Sequence, residues 1–571
     1  MCMQKKILKL VSLSFITALI SCAHQISPSG GPDDKISPAV ISSSPKTESV
    51  NVPVKSSVVI NFSEWISKKS DRGVTIYPPL KVKIVVNRNR LEIIPVTAFA
   101  DSTTYHISIN SLLQDLHNNP VFSPINLTFS TGSTLDSGIL SGCIIDPSKK
   151  ALQPKVALFR KEQIKADSGF TIDPDYLQQT DSSGNFEFLH VKKNVYYAVA
   201  FLDANSDNRI QPGGIEQVFI TTDTIITIGS ATKPVFLFPA VYDTSRPALL
   251  NVKAHSSTIL SGQWATAFDL RNGFSYPQCT VERIDSVSTP IQGTYIPLPN
   301  GLVFTLLLKS PLQIAPYRLI YTFKILNNSK HSDTITFNGV KSGDTIKPVL
   351  QSWTPNTGTT DLDPEIKLIW SKPVTINSPL RLIDSTGDTI VSKAAGGYSD
   401  TSSLSLQRHL RPDSKYRLVL LKNIGNDLSG NSIKSRDTTD TVNVIDFQTI
   451  SGDSLAISVQ GGAECLEKSN HRKWLFKPFN RNTTYLSLDK SGQFRFDSIT
   501  SGKGLLYYFE DLNENNKPDQ GRLLPWLAPE PHFATPDTVE ARARWEVEGV
   551  EVHVCEPCKK KQLADTLERK K

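Results

Sequence analysis

A pair of motifs repeats across this 571-residue chain at a fixed offset, and that repeat limits what the chain can fold into. One copy runs from Asp181-Ser182-Ser183-Gly184-Asn185-Phe186-Glu187-Phe188 to Asp203-Ala204-Asn205-Ser206-Asp207-Asn208-Arg209. The other runs from Asp489-Lys490-Ser491-Gly492-Gln493-Phe494-Arg495-Phe496 to Asp511-Leu512-Asn513-Glu514-Asn515-Asn516-Lys517. Within each copy the two blocks start 22 residues apart. Gly184, Phe186, Phe201 and Asp203 return 308 residues later as Gly492, Phe494, Phe509 and Asp511, without a gap. A register held that long implies a large internal duplication. The Asp-x-Ser-Gly-x-Phe-x-Phe block reads as a turn feeding a strand, with both Phe on one face by the two-residue period.

Landmarks upstream of each copy repeat as well. Pro38 and Pro45 return as Pro348 and Pro355, and Asp34 and Ile36 as Asp344 and Ile346, all 310 residues on. The strand ending Phe62-Ser63 matches the one ending Trp370-Ser371. Thr104-Tyr105 matches Lys415-Tyr416, Asp115-Leu116 matches Asp427-Leu428, and Phe129-Ser130-Thr131 matches Phe447-Gln448-Thr449. The offset drifts by several residues between these landmarks, as loop insertions make it do.

Short alternating runs such as Ser57-Val58-Val59-Ile60-Asn61-Phe62-Ser63 lie between turn clusters, a β pattern, and 36 prolines punctuate the chain. The 39% hydrophobic content supports packed cores, and the prior of roughly 100–200 residues per domain suggests about three to five domains. Five β domains are expected, at 37–132, 136–240, 243–344, 345–450 and 451–556, the middle one without a clear copy.

Residues 37–132 and 345–450 resemble the SbsA-type bacterial Ig-like domain found in Bacteroidota lipoproteins, over about 95 residues in each copy. Residues 136–240 and 451–556 resemble the prealbumin-like (carboxypeptidase regulatory-like) or CNA-B type of sandwich, with another Ig-like variant as the alternative. These resemblances imply an all-β chain of tandem antiparallel β-sandwiches, in agreement with turn signals every ~8–12 residues.

The N-terminus carries Lys5-Lys6, a mostly apolar run from Ile7 to Ile20, then Ser21-Cys22. That is a secretory signal, too short to span a bilayer as a mature helix. Leu19-Ile20-Ser21-Cys22 resembles a bacterial lipobox. The resemblance implies removal of residues 1–21, acyl chains (palmitate among them) on Cys22, and an outer-membrane anchor. More than one chain meets the two-signal condition for stable anchoring. Residues 22–36 form a Ser/Pro/Gly/Asp tether that cannot bury a core. Asp33-Asp34 lies later than the acidic export signal of such lipoproteins, so the periplasmic or surface-facing side stays open. The net charge of +7 includes a basic tail at 557–571, read as a solvated terminus. No stripe of Lys and Arg interleaved with aromatics appears elsewhere, which argues against nucleic-acid binding.

Asp203, Asn205 and Asp207 place oxygen ligands at alternate positions, as a loop around one hard cation does, and resemble the calcium loops of dockerins. Calcium is the candidate cofactor; an Asx-turn loop is the alternative. Glu216 offers a distal carboxylate, although an EF-hand would place it where Gly214 stands. Asp511, Asn513 and Asn515 are a less charged counterpart, with Asp519 or Glu514 as supplements. Gly452-Asp453-Ser454-Leu455 has the letters of the GDSL esterase block, but a strand pattern follows it and no Asp-x-x-His partner appears downstream, so a linker is the better account. His553, Cys555 and Cys558 make a short motif whose main expectation is a Cys555–Cys558 disulfide. Cys143, Cys279 and Cys465 read as small buried hydrophobes.

The function expected is a membrane-anchored, non-catalytic binding or scaffold module with an envelope protein partner. A glycan-binding surface protein is the alternative, and an enzyme with groups gathered from separate loops is the rival class.

Overall fold

The computed structural model describes residues 34–553, apart from 146–152, 165–168, 243–247, 269–277, 296–300, 325–329, 435–440, 465–468, 480–483 and single or paired residues elsewhere. The described chain is nearly all β and consists of tandem sandwiches, each closed around its own apolar core. Among the described residues, no helix is long and apolar enough to cross a membrane.

Alternation along the strands explains the layering. Strand Val58–Phe62 buries Val58, Ile60 and Phe62 and turns Val59 and Asn61 outward. It lies between Val40–Ser44 and Arg90–Pro95 in a sheet that ends at Val82–Asn87. The opposing sheet orders Val74–Tyr77, Thr104–Ile109 and Ile125–Ser130. The fourth domain repeats the plan: Leu350–Thr354 pairs with Ile366–Ile376, and Lys415–Leu421 with Thr441–Thr449. Its central Tyr repeats too. Tyr105 stacks on Phe129 (centroids 5.7 Å apart, 22° between planes) and accepts the Ala100 N–H at 2.9 Å. Tyr416 stacks on Phe447 (5.9 Å, 23°) and accepts the Arg411 N–H at 2.9 Å.

In the second and fifth domains the first strand pairs in parallel with the last. Gly138–Ile144 runs beside Val235–Val241, and Leu455–Glu464 beside Glu546–His553. The expected turn and strand are present in both copies. Gly184 and Gly492 adopt φ of +85° and +84°, a region glycine enters at no steric cost. Phe186 and Phe188, like Phe494 and Phe496, fall on the buried face. The third domain packs two four-stranded sheets around Trp264, Phe304 and Tyr321.

The chain also returns on itself. After Asp511 the fifth domain extends a segment whose Gly521–Arg522 pairs in parallel with Ala240 and Val241 of the second domain. The Leu523 N–H donates to the Val241 carbonyl at 2.9 Å, and the Leu523 side chain is fully buried in the second domain's core. Trp526 lies 5.9 Å from Tyr197, and Phe533 meets Phe236 and Phe238 edge-on at 5.6 and 5.5 Å.

Candidate functional site

The loops singled out by their alternating oxygens sit at the same place in the second and fifth domains. Each follows the strand that carries Phe201 or Phe509, and across the neighbouring strand these residues face Lys155 and Lys473. Lys155 Nζ reaches Asp203 Oδ2 at 2.6 Å and Asn208 Oδ1 at 2.6 Å. Lys473 Nζ reaches Asp511 Oδ2 at 2.5 Å and Asn516 Oδ1 at 2.6 Å. Both aspartates are almost fully buried.

The rest of each loop is wound on backbone amides. Asp203 accepts the N–H groups of Asp207 and Asn208 at 3.2 and 3.0 Å; Asp511 accepts those of Asn515 and Asn516 at 3.0 and 2.9 Å. Asn208 and Asn516 both take φ of +63°, the left-handed region that Asn tolerates. Asn205 Oδ1 accepts the Asp207 N–H at 3.1 Å, and Asp207 Oδ1 the Arg209 N–H at 2.8 Å. A buried glutamate closes each far side. Glu216 accepts from the Ala204 and Gln211 amides, Glu530 from those of Leu512 and Asp519. Burial raises both glutamate carboxyls above their ordinary range. Burial also pulls Asp511 up, but the Lys473 hydrogen bond and the backbone donors outweigh it and hold that carboxyl low.

Chemically, each loop is an Asx-wound turn with an ammonium at its inner aspartate. Asp203, Asn205 and Asp207 lie together as the spacing suggested, and any cation approaching Asp203 Oδ2 meets Lys155. The lysines and Glu530 escaped the sequence reading. Lys155 and Lys473 are separated by 318 residues where the loops are separated by 308, so a gap hides their correspondence.

The other sequence candidates fall elsewhere. Cys22, Cys555 and Cys558 lie outside the described residues. Ser454 ends a short 3-10 turn that leads straight into strand Leu455–Glu464, and Asp453 pairs with Arg544 at 2.6 Å. Cys143 is disulfide-bonded rather than an isolated thiol, a pairing set by approach in space that spacing along the chain cannot reveal. Burial pushes the Cys279 thiol up to about 12. Trp264, Trp370 and Trp474 are core residues, while Trp65 and Trp545 are exposed. Trp65 carries Arg88 over its ring at 5.5 Å.

A cleft of ≈ 370 Å³ separates the first and second domains, with His106 and His190 in its wall. His106 Nε2 meets the His190 carbonyl at 3.1 Å and its Nδ1 meets Thr128 Oγ1 at 3.3 Å. Burial lowers its pKa to about 4, so the ring is neutral near pH 7. His190 Nδ1 meets the Asp136 carbonyl at 3.1 Å and its Nε2 meets Glu48 at 3.2 Å. With all four ring nitrogens engaged by protein groups, the pair joins the two domains.

Residues 34–131 match the bacterial Ig-like domain family. No curated protein matches the chain. Among solved structures, domains 1–6 of the surface layer protein SbsC are similar at 10% identity and a TM-score of 0.14, over 82% of this chain and 60% of that one. The Bacteroides ovatus mixed-linkage glucan utilization locus protein SGBP-B, solved with a mixed-linkage heptasaccharide, is similar at 9% identity and a TM-score of 0.18, over 68% of this chain and 88% of that one. E. coli alpha-2-macroglobulin in its native conformation is similar at 11% identity and a TM-score of 0.14, over 87% of this chain and 34% of that one.

Proposed function

We propose that the chain is an envelope lipoprotein, held in the outer membrane by acylated Cys22, whose tandem sandwiches act as a non-catalytic scaffold for an envelope protein partner. The observation that carries this reading is the return contact between the fifth and second domains. Sandwiches joined only end to end move independently by default. Here Leu523 enters the second domain's core, and burying a leucine contributes about 1.5–3 kcal/mol. Strand pairing at Gly521–Arg522 and the rings of Trp526 and Phe533 add to it. The return contact makes residues 243–450 a span between two joined ends, a form suited to holding partners at a set spacing.

The Leu19-Ile20-Ser21-Cys22 motif supports the anchor. Under this reading the Asp203 loop serves the frame, with Lys155 supplying the positive charge that calcium would otherwise bring. The test is affinity purification of the tagged protein from gently solubilised membranes, with quantitative mass spectrometry. A stoichiometric envelope protein is expected. In Cys22→Ala, acyl labelling and membrane retention should both be lost. An intact, acylated protein that brings down no partner would sink the scaffold reading and leave the glycan alternative, for which exposed Trp65 and Trp545 are the residues to substitute on glycan arrays.

A further inference from the structure

The two Ig-like copies treat one carboxylate site in opposite ways. In the later copy Lys372 Nζ lies 2.7 Å from Asp344 Oδ2 and 2.5 Å from Asp427 Oδ2. In the first copy Asp34 and Asp115 hold the equivalent positions, and matching hydrogen bonds fix the register. Asn119 Nδ2 donates to the Asp34 carbonyl at 3.0 Å and to Asp115 Oδ2 at 2.8 Å. Asn431 Nδ2 donates to the Asp344 carbonyl at 3.0 Å and to Asp427 Oδ2 at 3.0 Å. The Ala39 N–H donates to Ser63 Oγ at 3.0 Å, and the Val349 N–H to Ser371 Oγ at 2.9 Å. The residue after Ser371 is Lys372; the residue after Ser63 is Glu64.

Where the later copy places an ammonium, then, the first places a third carboxylate. The shared register at Ser63 and Ser371 sets Glu64 where Lys372 stands, and its side chain meets that of Asp115. His117 completes the group, with Nδ1 at 3.4 Å from Asp34 Oδ2 and 3.8 Å from Asp115 Oδ2. One ligand atom each from Asp34, Asp115 and His117 lies within 4.8 Å of the others. Among the described residues, neither aspartate pairs with a lysine or arginine, and the Asp115 side chain is 1% exposed.

Charge counting points to what balances the site. Asp344, Asp427 and Lys372 sum to −1. The carboxylates of Asp34, Asp115 and Glu64 sum to −3. One divalent cation restores −1. Bonds of about 2.0–2.2 Å to one ion put ligand atoms roughly 3–3.5 Å apart; His117 Nδ1 and Asp34 Oδ2 stand at 3.4 Å, and an ion would draw in the trio, whose atoms lie within 4.8 Å. Carboxylates alone suit calcium, magnesium or manganese, and an imidazole shifts preference toward zinc-like ions. We infer that Asp34, Glu64, Asp115 and His117 bind a divalent cation of the manganese or zinc class, standing where Lys372 stands in the later copy. Asp34 lies at the end of the 22–36 tether, so the ion clamps the point where the tether leaves the first domain.

The test uses the full chain, purified in detergent without a histidine tag, stripped with chelator and titrated calorimetrically with Mn²⁺, Zn²⁺ and Ca²⁺ in turn. The wild type should take up one equivalent of Mn²⁺ or Zn²⁺ that Glu64→Lys does not. Glu64→Lys reproduces the later copy's charges, and it should weaken that equivalent by more than about 100-fold, beyond what loss of an outer-shell partner does. Its unfolding midpoint in chelator should match or exceed the wild type's, which separates lost binding from lost folding. His117→Ala should weaken Zn²⁺ more than Ca²⁺. Wild-type stoichiometry in Glu64→Lys, or no Mn²⁺ or Zn²⁺ bound by the wild type, overturns the site. Calcium bound most tightly and unaffected by His117→Ala overturns the choice of ion.

Discussion

Beside each other, the Asp203 and Asp511 loops differ by 0.1 Å in the ion pair that closes them, 2.6 against 2.5 Å, and share the same left-handed Asn. The Ig-like domains that precede them share the stacked Tyr and Phe, yet diverge wherever a charge can be balanced in more than one way. Lys372 answers to Glu64, and Arg417 answers to His106. The fifth domain's loop also runs on into Gly521–Arg522 and Leu523, which dock on the second domain. Duplication has kept the interactions whose loss would strand a buried carboxylate, and has let go of those that an alternative counter-charge, or a different neighbour, can replace.

The largest effect should come from forcing the later copy into the first copy's pattern. Lys372→Glu leaves Asp344 and Asp427 facing a third carboxylate. Removing one partner of a buried pair costs about 3–5 kcal/mol, and the added repulsion takes this variant beyond that range. Hydrogen exchange along Ile366–Ile376 should rise sharply, and Mn²⁺ or Zn²⁺ should restore part of the protection. Unchanged exchange would mean that the lysine is dispensable and the contrast between the copies empty. Next come Lys155→Met and Lys473→Met, each expected to cost about 3–5 kcal/mol by leaving Asp203 or Asp511 buried without its ammonium. Denaturant unfolding monitored by exchange in the two loops should show similar losses. A loss in one domain alone would break the equivalence of the loops.

Much of this was legible along the chain where the physics is local. Phe186 with Phe188, and Phe494 with Phe496, carry their burial in their spacing, and the glycines before them carry the turn. The all-β class followed from alternation and turn residues. What closes the loops did not follow, because Lys155 is 48 residues before Asp203 and on another strand. Glu216 stood out beside its loop, whereas Glu530 lies 314 residues on and so out of the loops' register. Leu523 and Trp526 sit in a segment that reads as loop, and their burial depends on a domain about 280 residues earlier, which no local period encodes. The first copy's carboxylate cluster was half visible: Asp34 and Asp115 aligned with Asp344 and Asp427, but only approach in space brings His117 to them.

The smallest of the three effects belongs to His106, and it separates the two copies by pH. Its folded pKa of about 4, held down by burial, lies below the ordinary value of 6.5. Between those values the unfolded chain binds a proton that the folded domain does not, so stability is full above about pH 6.5 and falls as pH drops toward 4. A difference of that size corresponds to about 3 kcal/mol at its fullest. The loss should concentrate where His106 meets the His190 carbonyl and Thr128, loosening the first domain from the second. Arg417 stays charged throughout this range, and it pairs with Asp446 in solvent, so the strand Lys415–Leu421 of the fourth domain should show no matching change. Hydrogen exchange at Thr104–Ile109 and at Lys415–Leu421, followed from pH 7 to 4.5 and corrected for intrinsic rates, measures both at once. His106→Gln should flatten the first profile and leave the second as it was. A first profile that keeps its slope in His106→Gln would assign the acid sensitivity to other groups and leave the two interfaces alike.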